Sequence, residues 1–294
     1  MAIFKYIDAT LPIDTSEMLF LDAGSAKEFG SRFRAHYKDA KPFQHIVFDN
    51  FLAGNIVEEL LKAFPVDQRP SDKLYEDALA GLHKRQISPE VCDPWTRSFF
   101  HFLNSEPFLI FLEQLTGIEG LIGDPFFEGG GFHEISSGGK LSIHADFRIN
   151  ENLHLNRRIN VLLYLNKDWK VEYNGFLELW DKKIENRVQS IAPEFNRCVI
   201  FNTDADSYHG HPESLETPSE VTRKSIALYY YTASKKVYEE IPANSTMYVA
   251  RPFDSAGLKR RALKSRLQNH AKDWLPPVCF RAIQKLRQRR GISS

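Results

Sequence analysis

Two amphipathic segments dominate the hydrophobic pattern in the first half of the chain. Apolar residues recur at helical spacing over 55–64 and again over 106–115, where Gly117 follows the last apolar position and favours a helix end. The intervening residues 65–95 are polar and contain proline, which predicts a loop. We therefore expect residues 1–125 to form a mainly helical N-terminal part.

The pattern changes after the glycine run at 129–131. Short stretches rich in β-branched and aromatic residues then alternate with turn residues, which is typical of an antiparallel sandwich or barrel. The stretch 158–165 is too apolar for a strand with a solvated face, so we expect it to lie centrally in a sheet. The predicted strands cover residues 140–146, 158–165, 175–181, 187–191, 197–202 and 223–232.

Charge is distributed unevenly along the chain. The 38 Lys and Arg residues balance the 38 Asp and Glu residues, but residues 251–294 contain 12 basic and 2 acidic side chains. The body of the protein is therefore acidic. We predict a basic, helical C-terminal extension over 236–294, with helices at 258–270 and 278–290.

The second of these helices is amphipathic and basic. Cys279, Ala282, Ile283 and Leu286 form an apolar stripe, and Arg and Lys residues surround it. This pattern is typical of peripheral contact with a membrane or an acidic partner. The alternative is that the stripe packs on the catalytic domain and the charges are solvated. The sequence contains no nucleic-acid-binding motif, so we expect no nucleic-acid partner.

Length and cysteine usage restrict the class of protein. A chain of 294 residues can bury a sizeable core, and three widely spaced cysteines exclude a disulfide framework or a four-thiolate zinc site. We expect a reducing compartment. The sequence shows neither an apolar run of about 20 residues nor a signal-peptide pattern, which favours a cytoplasmic protein, peripherally membrane-associated if the extension binds lipid.

Candidate metal ligands occur at the end of the first predicted strand. His144 and Asp146 are two residues apart, so in a strand they point to the same face. Two His and one carboxylate form the facial triad that holds non-haem Fe(II). His209 is the best third ligand, and His211 is a close rival because it has the same parity. A His-x-Asp pair alone is a weak signal, since a satisfied polar pair gives the same spacing.

A candidate anion clamp follows on the last predicted strand. Arg223 and Ser225 share one strand face, and a guanidinium beside a hydroxyl suits a carboxylate. The alternative for Arg223 is a surface ion pair. The metal ligands and the clamp together are what an enzyme needs if it chelates 2-oxoglutarate on Fe(II) and anchors the distal carboxylate.

Six linked segments over about residues 130–232 resemble the Fe(II)- and 2-oxoglutarate-dependent oxygenases, most closely the prolyl 4-hydroxylase-like branch. The resemblance implies a mainly β fold with flanking helices and a double-stranded β-helix core, a cupin-like jelly roll. It implies a catalytic domain over 1–235 with the jelly-roll core at 126–235. The segments are Leu141-Ser-Ile-His-Ala-Asp-Phe147, 158–169, Asn174-Gly-Phe-Leu-Glu-Leu-Trp-Asp181, Ile191-Ala-Pro-Glu-Phe-Asn-Arg197, Tyr208-His-Gly-His-Pro212 and 223–231.

The resemblance implies roles for individual residues. His144, Asp146 and His209 match the catalytic iron ligands, with 2-oxoglutarate and O2 as cosubstrates and ascorbate as a candidate further cofactor. The carboxylate of Asp146 argues against the related halogenases, which have a small residue there.

Residues on two neighbouring strands match the cosubstrate pocket of the family. Arg223 matches the residue that pairs with the distal carboxylate of 2-oxoglutarate, and Ser225 and Tyr164 match hydroxyls around it. Lys224 is a minor rival of Arg223, although alternation points it to the opposite face. Asn160 shares a strand face with Tyr164 and is therefore expected to line the pocket.

The resemblance implies an Fe(II)- and 2-oxoglutarate-dependent dioxygenase that hydroxylates an unactivated C–H bond and releases succinate and CO2. Peptidyl proline is the expected substrate by analogy with the relatives. A lipid-linked saccharide or a natural-product intermediate at a membrane surface is an alternative. A second alternative is a non-catalytic jelly-roll binding module, but such proteins usually lose a ligand or the clamp, and here both are complete.

Overall fold

Two curved antiparallel sheets form the centre of the computed structural model, which describes residues 6–16, 19–77, 79–233 and 246–274. The helices are α1 (Ala23–Asp39), α2 (Gly54–Lys62), α3 (Pro94–Phe102), α4 (Glu106–Thr116) and α5 (Ala256–Trp274). The strands are β1 (Ile7–Asp8), β2 (His45–Asp49), β3 (Lys73–Asp77), β4 (Gly81–Ile87), β5 (Leu121–Gly123), β6 (Gly131–Ala145), β7 (Ile149–Asn150), β8 (Leu155–Tyr164), β9 (Leu177–Trp180), β10 (Arg187–Ile191), β11 (Cys198–Asn202), β12 (His209–His211), β13 (Arg223–Ala233) and β14 (Met247–Tyr248).

The larger sheet has the order β1-β2-β11-β8-β13-β6-β4-β3, and the smaller sheet has the order β14-β6-β12-β9-β10. Among the pairings between these named strands, only the short pairing of β1 with β2 is parallel. The fold is thus mainly β with helices on its flank, and the predicted jelly-roll core is confirmed.

Strand β6 belongs to both sheets. Its residues 131–135 pair with β13 and β4 in the larger sheet, and its residues 141–145 pair with β12 and β14 in the smaller one. Gly138, with a φ of +79°, and Gly139 lie between these two halves. A left-handed backbone is accessible to glycine at little steric cost, so this pair allows the strand to turn from one sheet to the other.

Alternation along β8 separates the core from the interior of the jelly roll. β8 pairs with β11 on one side and β13 on the other, so the predicted central position is confirmed. Ile159, Val161 and Leu163 belong to the main core, which includes residues of α1 and α4. Asn160 and Tyr164 point to the opposite face. The outer face of this strand therefore stabilises the fold while its inner face is free to form a site.

The helix predictions in the N-terminal part are confirmed, but the predicted loop is wrong. Helices α2 and α4 cover the two amphipathic segments, and Gly117 ends α4 in a left-handed conformation. Residues 65–95 instead contain the β3–β4 hairpin, whose second strand pairs with β6. Because β2 and β4 join the larger sheet, residues 1–125 contribute directly to the jelly roll.

The C-terminal region is described only in part. The predicted helix at 258–270 lies within α5, and the helix predicted at 278–290 lies outside the described residues. Arg261 of α5 forms a 2.6 Å ion pair with Asp77 of β3. In the described ranges, no helix combines the length and the apolar character that crossing a membrane requires.

We expect Gly139→Ala to destabilise the protein by about 1–3 kcal/mol, because the added Cβ has no room. It would lie 2.4 Å from Ile135 Cγ2 and 2.7 Å from the carbonyl oxygen of Leu82. Gly54→Ala is the matched control, since a Cβ there meets nothing within 4 Å. Urea unfolding would measure both free energies. Equal stability of the two variants would contradict the role of Gly139 in the turn of β6.

Candidate active site

Three side chains that could hold a metal ion converge in the smaller sheet. His144 lies near the end of β6, Asp146 follows this strand directly, and β12 pairs His209 opposite His144. One donor atom from each residue lies within 4.8 Å of the other two. The Asp146 carboxylate is 3.7 Å from Nε2 of His144 and 3.6 Å from Nε2 of His209. The cluster therefore presents two imidazoles and one carboxylate to a common point.

Backbone carbonyls fix the orientation of both imidazoles. Nδ1 of His144 lies 2.8 Å from the carbonyl oxygen of Ser142, and Nδ1 of His209 lies 2.9 Å from that of Ser207. A carbonyl can only accept, so each Nδ1 carries the hydrogen and each Nε2 keeps its lone pair. Burial and the nearby His144 lower the pKa of His209 to about 4, which keeps this ring neutral at pH 7.

The carboxylate of Asp146 is held in its ionised form. Burial raises its pKa, but the Arg157 guanidinium opposes this effect, and the pKa lies well below its usual range. Arg157 donates to Oδ2 of Asp146 at 3.0 Å, and the side-chain amide of Asn160 donates to the same oxygen at 2.7 Å. Two imidazole nitrogens and one oriented carboxylate fit a non-haem Fe(II) ion.

A bulge in β8 places Arg157 in the site. Simple alternation from Asn160 would point Arg158 inward and Arg157 outward. The pairing with β13 skips Arg158, so Arg157 reaches the inner face. Its guanidinium bonds Oδ1 of Asn160 and lies 3.6 Å from the centre of the Tyr229 ring. Sequence reasoning missed Arg157 because the bulge leaves no mark in the alternation pattern.

Arg223 carries a buried positive charge at the start of β13. Its Nε donates to the carbonyl oxygen of Gly175 at 2.8 Å, and its Nη2 donates to the Tyr164 hydroxyl at 3.2 Å. Burial lowers its pKa from the ordinary value, but a guanidinium stays cationic in proteins. Within the described ranges, no carboxylate forms an ion pair with it. A buried cation of this kind is poised to bind an anion.

Two hydroxyl side chains accompany Arg223. Ser225 lies two residues further along β13 on the same face, and it pairs opposite Tyr164 of β8. Burial raises the pKa of Tyr164, so its phenol is neutral. Since this oxygen accepts from Arg223, its own O–H can donate to a bound carboxylate.

Asn160 and Lys224 do not belong to the anion clamp of Arg223, Ser225 and Tyr164. Asn160 contacts Asp146 and Arg157, so it lies beside the metal donors. Lys224 points away from the cavity and lies 3.7 Å from Glu134.

One cavity of about 190 Å³ connects the metal donors with the clamp. His144, Asp146, His209, Arg223 and Ser225 all line it. Further lining residues, which sequence reasoning did not assign to the site, include Tyr75, Lys84, Arg157, Tyr229 and Tyr248. His211 also lines this cavity, but the cluster of donor atoms contains His209 rather than His211.

Residues 130–231 match the sequence profile of the 2OG-Fe(II) oxygenase superfamily. No curated protein matches the sequence. Among solved structures, a Pseudomonas putida prolyl-4-hydroxylase is similar at 16% identity and a TM-score of 0.49, covering 69% of this chain and 100% of that one.

Two further solved structures show a comparable similarity. A prolyl hydroxylase from Trichoplax adhaerens, in complex with a hypoxia inducible factor peptide fragment, has 19% identity and a TM-score of 0.48, with 71% and 91% of the chains covered. HygX from Streptomyces hygroscopicus, with nickel, 2-oxoglutarate and hygromycin B bound, has 13% identity and a TM-score of 0.45, with 68% and 87% covered.

The matched segment includes all three metal donors together with Arg223, Ser225 and Tyr164. The cofactors of the matched superfamily are Fe(II) and 2-oxoglutarate, and the donor set fits the iron. Residues 130–231 thus match the 2OG-Fe(II) oxygenase superfamily in sequence, and this segment contains the complete set of metal donors.

Proposed function

We propose that the protein is a dioxygenase that hydroxylates an unactivated C–H bond while 2-oxoglutarate is decarboxylated to succinate and CO2. The observation that carries this proposal is the buried guanidinium of Arg223, which faces the same cavity as the metal donors. A dianionic keto acid can reach both, with its distal carboxylate on Arg223 and its keto acid end at the metal.

In this proposal the clamp determines how the cosubstrate lies. Arg223 supplies charge, and the Tyr164 hydroxyl, which already accepts from Arg223, donates its hydrogen to the distal carboxylate. Ser225 offers a further hydroxyl on the same strand face. These contacts fix the distal carboxylate of 2-oxoglutarate. Its keto acid end then points toward the metal donors.

The remaining residues prepare the metal position. The carbonyls of Ser142 and Ser207 hold both imidazoles with Nε2 directed at the ligand position, while Arg157 keeps Asp146 ionised. When bound, Fe(II) and 2-oxoglutarate supply the oxidation: O2 is reduced, one oxygen atom enters succinate and the other enters the substrate C–H bond.

Part of the surroundings of this position is apolar. Leu162 and Leu177 line the cavity, and the Phe201 ring packs 4.7 Å from the His209 ring at an angle of 65°. Apolar side chains beside the donors lower the local polarity, which strengthens charge interactions.

The substrate itself remains a prediction. Peptidyl proline follows only by analogy, and one fold serves many substrates. Pools of peptides, amino acids and membrane glycolipids, assayed for substrate-stimulated succinate production, would separate the peptide alternative from the saccharide and small-molecule alternatives.

We expect the wild-type protein to form succinate from 2-oxoglutarate in an Fe(II)-dependent manner and His144→Ala to lose this turnover. Loss of one imidazole leaves two donors, which do not hold the metal firmly. Succinate release and Mn(II) affinity would be measured on the same preparations. Equal turnover and equal metal affinity in the two proteins would show that the metal assignment is wrong, and a binding module would show no turnover in either.

Arg223→Met should weaken the binding of 2-oxoglutarate by roughly tenfold to a hundredfold, because a charged hydrogen bond contributes about 1.5–3 kcal/mol. Lys224→Met is the matched control, since Lys224 is the next residue on the same strand and faces away from the cavity. Calorimetric titration with 2-oxoglutarate would compare them. A larger loss of affinity in Lys224→Met than in Arg223→Met would reverse the assignment.

A further inference from the structure

Lys84 extends into the cavity that the metal donors line. It lies on β4, where it pairs with Tyr75 of β3 and with Ile135 of β6. Its ammonium nitrogen is 4.9 Å from the centre of the Tyr75 ring, and the half-buried side chain lines the cavity of the metal donors. Among the residues that the structure describes, no carboxylate forms an ion pair with Lys84.

Arg85, the next residue of the same hairpin, is a cation that has acidic partners. Arg85 points to the opposite face and is buried, and its guanidinium lies 2.8 Å from Glu134 and 3.5 Å from Asp72. It also donates to the carbonyl of Pro65. The charge of this buried cation is thus compensated by two carboxylates, whereas Lys84 has no ion pair among the described residues.

Charge balance in the cavity indicates what Lys84 binds. Among the described residues that line the cavity, three side chains are cationic, Lys84, Arg157 and Arg223, and one is a carboxylate, Asp146. A divalent metal and dianionic 2-oxoglutarate cancel each other and leave the excess of two positive charges unchanged. Arg157 is paired with Asp146, and Arg223 serves the cosubstrate, so the ammonium of Lys84 remains without an anion.

Lys84 keeps its positive charge at neutral pH. Burial and the nearby Arg223 and Arg157 lower its pKa to about 8, although Asp146 opposes this shift. An anion beside the ammonium group would raise that pKa and add a charge-assisted hydrogen bond.

His211 provides a second unsatisfied group on the same cavity wall. This residue is 4% exposed, and neither of its ring nitrogens has a hydrogen-bond partner among the described residues. An imidazole ring always carries at least one N–H group, so His211 can donate a hydrogen bond to a ligand in the cavity. A buried imidazole without partners is costly in a folded protein unless a ligand satisfies it.

The position of Lys84 separates it from the cosubstrate clamp. Arg223 and Lys84 both pair with Ile135, from opposite sides of β6, so the two strands lie about 10 Å apart. The Arg223 guanidinium is bonded to Tyr164 and Gly175, and Tyr164 lies on β8, the strand on the far side from β6. A carboxylate held by Arg223 and Tyr164 therefore leaves Lys84 free for another group.

We propose that Lys84, assisted by His211, binds an anionic group of the substrate, a carboxylate or a phosphate, inside the cavity beside the metal donors. This inference rests on the proposed function, because it assigns 2-oxoglutarate to Arg223. The substrate is then an acid whose charged group and reactive C–H bond lie close together, and neutral peptides or neutral sugars are poor ligands.

The test uses the full-length protein loaded with Mn(II) and saturated with 2-oxoglutarate. Methyl phosphate and acetate are titrated separately by calorimetry, so that the two arms distinguish a phosphate from a carboxylate ligand. We expect saturable binding of at least one probe to the wild type, weakened roughly tenfold or more in Lys84→Met and retained in Lys84→Arg. Lys73→Met, an exposed lysine of the same hairpin, is the matched control and should bind like the wild type.

Failure of the proposed subsite and failure of the proposed function would give different results in this experiment. Absence of probe binding to the wild type, or equal binding to Lys84→Met, would overturn the proposed subsite. A loss of 2-oxoglutarate affinity in Lys84→Met would also overturn it, because Lys84 would then belong to the cosubstrate. Failure of the wild type to bind 2-oxoglutarate would refute the proposed function, while probe binding to the Mn(II) protein that depends on Lys84 would still support the subsite.

Discussion

The site depends on the path of β6 through both sheets. The first half of this strand pairs with β13, which carries Arg223, and its second half carries His144 and pairs with β12, which carries His209. The backbone turns at Gly138 and Gly139, where a Cβ on the second glycine would collide with neighbouring backbone. Both sheets share this strand. The backbone of β6 therefore determines the distance between the metal donors on one sheet and Arg223 on the other.

Charge compensation divides the buried and half-buried cations into two groups. Arg85 is paired with Glu134, Arg157 with Asp146, and Arg197 with Asp49 at 2.6 Å. Arg223 and Lys84 have no carboxylate partner in the described ranges, and both line the cavity. Burying a cation that has no anionic partner disfavours folding. Arg223 and Lys84 therefore lower the stability of the folded protein until an anionic ligand binds. The unpaired charges accordingly lie where ligand binding requires them.

Local patterns predicted much of the fold and the metal cluster. His144 and Asp146 were found because strand alternation relates residues two apart, and α4 was found because apolar residues recur at helical spacing and Gly117 follows the last of them. Helix α1 was not predicted, although its sequence carries comparable signals. Asp22 caps the helix, and Phe29, Phe33 and Tyr37 recur every four residues.

Arg157 and Lys84 could not be predicted in this way. The first reaches the site through a bulge and the second through a hairpin in a polar segment, and both depend on pairings with distant strands. The division of the chain into a catalytic domain and a basic extension likewise stays a prediction.

The central claim is that one dianion bridges the metal and Arg223, and the coupling between metal and 2-oxoglutarate tests it most directly. Calorimetric titration of the full-length protein with 2-oxoglutarate would be performed with and without Mn(II), for the wild type and for His144→Ala. The account predicts affinity roughly tenfold or more tighter with the metal in the wild type and no metal effect in the variant, since linked ligands share a coupling free energy. Equal affinity of the wild type with and without Mn(II) would contradict it.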